Sequence, residues 1–164
     1  MADDRLDHRS RSSARRRSAQ GQRGADAQGL GRSRGGLSTK IHAATEALGL
    51  PIRLIASPGQ RNDIAFAHDL IDGIKADVAI ADKGYDADHL ANRIAEAGTE
   101  VVIPPKRNRK VQRTYDVDLY KERNRIERFF AKLKQFRRVA TRYDKLLVNF
   151  MSFVKLAAIA IWLR

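Results

Sequence analysis

Cysteine is absent from the 164 residues. That removes disulfides, thiolate zinc sites and cysteine nucleophiles together, and it suits a cytoplasmic chain. Long hydrophobic runs are missing as well. The most apolar stretch, Leu146 to Leu163, is interrupted by Asn149, Ser152 and Lys155. Its clean part, Leu156 to Leu163, falls short of the about 20 apolar residues that a membrane span needs. It reads as a helix packed on a sheet, with Trp162 in the core and no membrane as partner. Residues 1–35 hold almost no large apolar side chain beyond Met1, Leu6 and Leu30. They offer no apolar region for a signal peptide. Such an Arg-, Ser-, Gly- and Gln-rich segment cannot offset its ordering entropy by burial. Residues 1–35 are therefore expected to be a basic, disordered arm, and 36–164 one folded domain. Acidic residues are scarce too: 19 Asp and Glu stand against 32 Lys and Arg, a formal net charge of +13. This balance points to a polyanionic partner, nucleic acid ahead of an anionic membrane surface.

What is present centres on Tyr120 to Lys134, Tyr-Lys-Glu-Arg-Asn-Arg-Ile-Glu-Arg-Phe-Phe-Ala-Lys-Leu-Lys. With no glycine or proline and many helix formers, it reads as one helix. At roughly 100° per residue, Tyr120, Arg123, Glu127 and Lys134 fall within an arc of about 60°. Leu119, Ile126, Phe129, Phe130 and Leu133 occupy a separate face that must pack on a core. Lys121, Arg125, Arg128 and Lys132 make a third, basic stripe. A lone glutamate among cations is as a rule an ordinary salt-bridge residue, so only its spacing can argue for chemistry.

Upstream, Leu37, Thr39, Ile41 and Ala43 alternate with Ser38, Lys40, His42 and Ala44, the period of a strand. After the turn Glu46 to Leu50, Pro51 to Ala56 alternates again, which predicts an antiparallel hairpin with a structural His42. Asn62 or Asp63 can cap a helix over Ala65 to Ile74, and Asp63 reads as that cap. Asp77 to Asp82 is a short apolar run of the buried-strand kind. Lys83-Gly84 turns the chain, and Asp86 is placed to cap a helix from Ala87 to Ala97. Asp82 thus falls just past the carboxyl end of a strand, where sites of open α/β sheets lie, although aspartates also end strands as turn formers. Thr99 to Ile103 is a further strand, stopped by Pro104-Pro105. Lys106 to Lys110, with four cations in five residues, reads as a mobile basic loop able to touch phosphates.

The spacing Tyr120-x2-Arg123-x3-Glu127-x6-Lys134 resembles the Y-R-E-K signature of bacterial DDE-type insertion-sequence transposases. The resemblance runs from about Gly31 to the last residue. It passes through Gly31-Arg-Ser-Arg-Gly-Gly-Leu-Ser-Thr-Lys-Ile-His42 and Ala81-Asp-Lys-Gly-Tyr-Asp86, and leaves out the first 30 residues. It implies an α/β fold of ribonuclease-H-like type, a mixed sheet with flanking helices, here lacking its first strand. It further implies DNA transposition, with metal-dependent phosphodiester cleavage and strand transfer on transposon-end and target DNA, by a chain that can self-associate. Asp82 and Glu127 would be catalytic metal ligands for Mg²⁺ or Mn²⁺, two ions in the intact family. Arg123 and Lys134 would hold phosphates, and Tyr120 would orient the strand. Hard divalent ions take carboxylate oxygens and keep waters, so a few Asp and Glu side chains suffice.

The family's first aspartate belongs in a strand ahead of Gly31, and no such strand is written there. Plausible codons for Met1 to Ser13, shifted by one base, can encode a segment of the expected kind, so a frameshifted remnant is inferred. The chain as written is expected not to cleave DNA. The competing function is a catalytically dead DNA-binding fragment that competes with, or partners, an intact transposase. A basic RNA-binding domain would leave the Tyr-Arg-Glu-Lys spacing unexplained.

Overall fold

The computed structural model describes residues 24–33 and 36–163. The predicted disorder of residues 1–23 lies outside the described residues. Strands β1 (Gly31–Ser33), β2 (Gly36–Thr45) and β3 (Pro51–Pro58) form an antiparallel sheet in that order. The β2–β3 hairpin is the one that alternation predicts: Ile41 lies opposite Ala56 and Ala43 opposite Leu54, with a register shift between Ala44 and Thr45. Its turn is held locally, since Glu46 Oε1 accepts from the Leu48 and Leu50 amides at 2.9 and 3.2 Å.

Residues 24–33 depart from the predicted arm. Residues 24–27 form a helical turn, and Gly31 pairs with Ser38. Polar contacts replace the apolar anchor that composition denied them. Gln28 Oε1 accepts from the Leu147 amide at 2.8 Å, and Arg142 donates to the Gln28 carbonyl at 2.8 Å. Glycine is needed at position 31, because a Cβ there would sit 1.5 Å from Gln60 Oε1 and 2.7 Å from the Gly59 nitrogen.

A 3₁₀ turn over Asp63–Phe66 runs into α1 (Ala67–Ile71). Beyond it, β4 (Val78–Ile80) and β5 (Glu100–Val102) form a separate parallel pair, joined by α2 (Asp88–Glu96) as a crossover. β4 is half-buried, where a buried strand was predicted, because β5 is its one ladder partner among the described residues. Both predicted caps are corrected. The Asn62 side chain makes no cap bond, and Ala87, not Asp86, is the N-cap of α2. The Asp63 and Asp86 carboxylates are drawn to distant cations instead, as described below.

Four more helices follow: α3 (Val117–Lys121), α4 (Asn124–Leu133), α5 (Arg137–Ala140) and α6 (Leu147–Trp162). The single helix predicted over Tyr120 to Lys134 is therefore broken at Glu122 and Arg123. There the Glu122, Arg123 and Arg125 amides bond three residues back, to the Leu119, Tyr120 and Glu122 carbonyls, which tightens one turn. The core face is as read for Phe129 and Leu133, 2 % and 1 % exposed. They pack with Val139, Phe150, Val154 and Ile161 against Ile41, Ala43 and Leu54 of the hairpin. So α6 lies on the sheet. Trp162 is corrected: it is half-exposed, and its Nε1 donates to the Pro51 carbonyl at 3.1 Å. Among the described residues, no helix is long and apolar enough to cross a membrane. A second, smaller core joins Ala67, Leu90, Ile94 and Ile103 beside the β4–β5 pair. The architecture is mixed α/β, with its described strands in two small sheets.

Candidate active site

An open cleft of about 740 Å³ is lined by residues of both charges. Asp63 comes from the 3₁₀ turn, and Asp82 with Lys83-Gly84 from just past β4. Lys106-Arg107-Asn108 follow β5, and Tyr120 and Arg123 come from the α3–α4 junction.

Asp82 has local work to do. It caps the short turn Lys83–Tyr85, its Oδ1 accepting from the Gly84 amide at 2.7 Å. A Cβ on Gly84 would sit 2.8 Å from that oxygen and 3.8 Å from Asp63 Oδ2. The two carboxylate oxygens are thus no farther apart than those distances laid end to end. Both charges also bear on one neighbour: the Tyr85 hydroxyl is pushed up to about 12, by burial first and then by Asp63 and Asp82.

Asp63, read from sequence as a cap, is instead held by Lys40, whose Nζ donates to Oδ1 at 2.9 Å, with His42 Nδ1 3.9 Å away. The signal for this was present in the strand period, which puts Lys40 and His42 on one face of β2. His42 is structural, as read. It is 4 % exposed, stacks on Phe66 at 4.8 Å between centroids, and lies 2.8 Å from Ser57 Oγ through Nε2. Burial draws its pKa below the ordinary 6.5, against the pull of Asp63. Ser57, His42 and Asp63 form a row of nucleophilic, basic and acidic types. Ser57 is 1 % exposed, however, so no substrate reaches its hydroxyl and the row is structural.

Elsewhere in the lining, Arg123 Nη2 donates to Glu127 Oε1 at 2.5 Å, and its guanidinium carbon stands 5.6 Å from the Tyr120 ring centroid. Tyr115 supports Tyr120 edge-on at 5.5 Å. Of the five residues singled out in the sequence, Asp82, Tyr120 and Arg123 line the cleft. Glu127 is attached to it through Arg123, and Lys134 caps the C-terminal end of α4 outside the lining.

The basic loop is not mobile in the way its composition predicts. Asp86, with a side chain 1 % exposed, receives the Lys106 amide at 2.8 Å, Arg109 Nε at 2.9 Å and Arg113 Nη2 at 2.8 Å. Asp88 adds contacts to the same two arginines at 2.9 and 3.0 Å. Burial pushes the Asp86 carboxyl up, but the Lys106 amide and the two arginines together hold it below its ordinary value. An apolar groove of about 520 Å³ between β3 and the end of α6 holds no carboxylate.

Among the described residues, no three His, Cys, Asp or Glu side chains gather as a metal-binding group. The donor chemistry of Asp63 and Asp82, carboxylate oxygens that both approach Gly84, is of the kind a hard divalent cation takes. Asp63 is already compensated in part by Lys40.

The transposase DDE domain family matches residues 7–163, beginning ahead of the Gly31 at which the sequence resemblance was set. The chain is 46 % identical over 132 residues to a putative transposase for insertion sequence element IS6501 from Brucella ovis, covering 78 % of this chain and 100 % of that protein. It is 30 % identical over 130 residues to a putative transposase for insertion sequence element IS402 from Burkholderia cepacia, covering 72 % of this chain and 59 % of that protein. No solved structure matches. By the family match over residues 7–163 and the 46 % identity to the first of these relatives, the chain belongs to the DDE-domain transposases of bacterial insertion sequences.

Proposed function

We propose that the chain binds the DNA ends of an insertion element in this cleft, and that Asp82 and Glu127 are the carboxylates of its phosphodiester chemistry. One observation carries the reading: Asp82, Tyr120 and Arg123, distant in sequence, line the same open cleft with Lys83, Lys106 and Arg107. A phosphodiester entering there meets Lys83, Lys106, Arg107 and Arg123, and charge-assisted bonds to its oxygens are the strong kind. Arg123 has a double part. It fixes one oxygen of Glu127 and keeps its stacking position over Tyr120, so displacing it would alter both. Lys134, on the same helix, is proposed as a phosphate contact farther along the strand.

DDE transposases as a family act on DNA with divalent metal ions. Mg²⁺ or Mn²⁺, when bound, would activate the attacking water or 3′-hydroxyl and stabilise the leaving oxygen. Asp82 and Glu127, with Asp63 beside Asp82, are the residues that would hold it. The ribonuclease-H-like arrangement belongs to this proposal too, supported by an aspartate just past a strand end and a glutamate on a helix joined to the cleft through Arg123.

We further propose that the chain as written is inert in cleavage, which is the second reading: a DNA-binding fragment. It is favoured by the sequence pattern, in which no aspartate before Gly36 stands in an apolar or alternating stretch. Asp26 sits exposed on the helical turn 24–27, whereas Asp63 lines the cleft. The test incubates the chain with element-end duplexes and Mg²⁺ or Mn²⁺, beside a chain whose first 30 residues carry the one-base-shifted translation. Nicking by the second alone supports the inert reading. Nicking by the first, lost in Glu127→Gln and in Asp63→Asn, would assign Asp63 the missing place.

A further inference from the structure

The five cations of residues 106–113 do not share one environment. Arg109 and Arg113 are both directed into Asp86 and Asp88, two positive charges against two negative. Arg113 Nε is buried with no partner, so the carboxylates alone orient that guanidinium. Lys106 is tied twice, its amide to the Asp86 carboxylate and its Nζ to the Asp86 carbonyl at 3.2 Å. Arg107 and Lys110 are exposed and make no hydrogen bond or ion pair to a described residue, and Arg107 lines the same cleft as Asp82. An ionised carboxylate as deeply buried as Asp86 is costly unless fully paired, and here each oxygen has a cationic partner.

We propose that Asp86 is a positioning residue that sorts the loop's cations: it holds Arg109 and Arg113 as anchors and presents Arg107 and Lys110 to DNA phosphates. The local charge balance cancels the two anchors at close range, whereas Arg107 and Lys110 keep their full attraction for a polyanion. This rests on the DNA-binding reading of the cleft. It also assigns Asp86 a function that its place ahead of α2 disguises as capping.

Two measurements on the full chain test it: amide hydrogen exchange over residues 106–113, and binding of a labelled duplex DNA across a salt series. Asp86→Asn should speed exchange at the Lys106 and Arg109 amides at least tenfold, with the amides of α4 and α6 unchanged. It should also steepen the log–log salt slope, because Arg109 and Arg113 become free for phosphates. Glu100→Gln, which removes one exposed charge without touching the loop, should leave both readings alone. Arg107→Ala and Lys110→Ala should each flatten the slope by about 0.9 with exchange unchanged. If Asp86→Asn does not fold, Asp88→Asn, at an exposed position, should produce a smaller shift of both readings in the same direction. The proposal is overturned if Arg109→Ala flattens the slope as much as Arg107→Ala while loop exchange stays slow. Failure of the DNA-binding reading looks different: the wild-type chain shows no salt-dependent binding, yet Asp86→Asn still loosens the loop.

Discussion

The layer beneath α6 and the loop pinned by Asp86 are held by opposite means. Under α6, Phe129, Leu133, Phe150, Val154 and Ile161 exclude water from the face of the β2–β3 hairpin, and no charge is needed. The 106–113 loop has almost nothing to bury. It is fixed by one desolvated carboxylate that collects an amide and two guanidiniums. Apolar burial is insensitive to pH and only weakly to ordinary salt, while the clamp depends on a protonation state. The comparison teaches that the scaffold and the 106–113 loop can fail separately.

The largest expected effect breaks the first region. Phe129→Ala should destabilise the chain by about 3–5 kcal/mol, since it removes a side chain that is 2 % exposed and leaves a cavity. Urea unfolding of the two proteins measures it. A loss under 1 kcal/mol would mean that the layer collapses around the gap and is not close-packed.

Acid should break the second region while sparing the first. The Asp86 carboxyl is held below its ordinary value, so its stabilising contribution is complete above the unfolded value of about 3.9 and disappears as pH falls through the lower folded value. Loop amides should begin to exchange faster only below about pH 4, before those of α4 and α6. Loosening already at pH 5 would show that some other group controls the loop.

A smaller effect comes from His42, on the face of β2 opposite Ile41 and Ala43. Its folded pKa is lowered by burial, so the unfolded chain binds the proton more readily and stability falls as pH drops below about 6.5. Denaturant midpoints at pH 7.5 and 5.5 should differ in that direction. A His42→Gln variant should lose that part of the difference. If wild type and variant respond to pH alike, the buried imidazole is not the group responsible.

The smallest is Trp162→Phe. It gives up the 3.1 Å bond to the Pro51 carbonyl at a half-exposed site, and should cost about 1 kcal/mol or less. A larger loss would make the end of α6 part of the core after all, as its composition alone predicts.

The β2–β3 hairpin, the α6 layer and the spacing of Tyr120, Arg123 and Glu127 were legible because each follows from a short period of the chain. Strand alternation set Ile41 and Ala43 on one face, and helical spacing put Phe129 and Leu133 on another. The break at Glu122–Arg123 was not legible, since nothing in Tyr120 to Lys134 disfavours a helix. Its Arg123–Glu127 and Arg125–Glu122 pairs also suit an unbroken one. The order of residues 24–33 was hidden as well, because Gln28 meets Leu147 119 residues away.

By itself, then, the sequence determined the apolar faces, the cationic excess and the family signature, because these are properties of neighbours along the chain. The tertiary structure alone decided what the carboxylates do. Asp63 and Asp86 each read from the sequence as a helix cap, where a local amide competes with a remote cation. Lys40 reaches Asp63 from 23 residues away, and Arg109 and Arg113 reach Asp86 from 23 and 27. In a partly buried place a full positive charge outbids a backbone dipole, because the weaker screening strengthens the charge–charge attraction most.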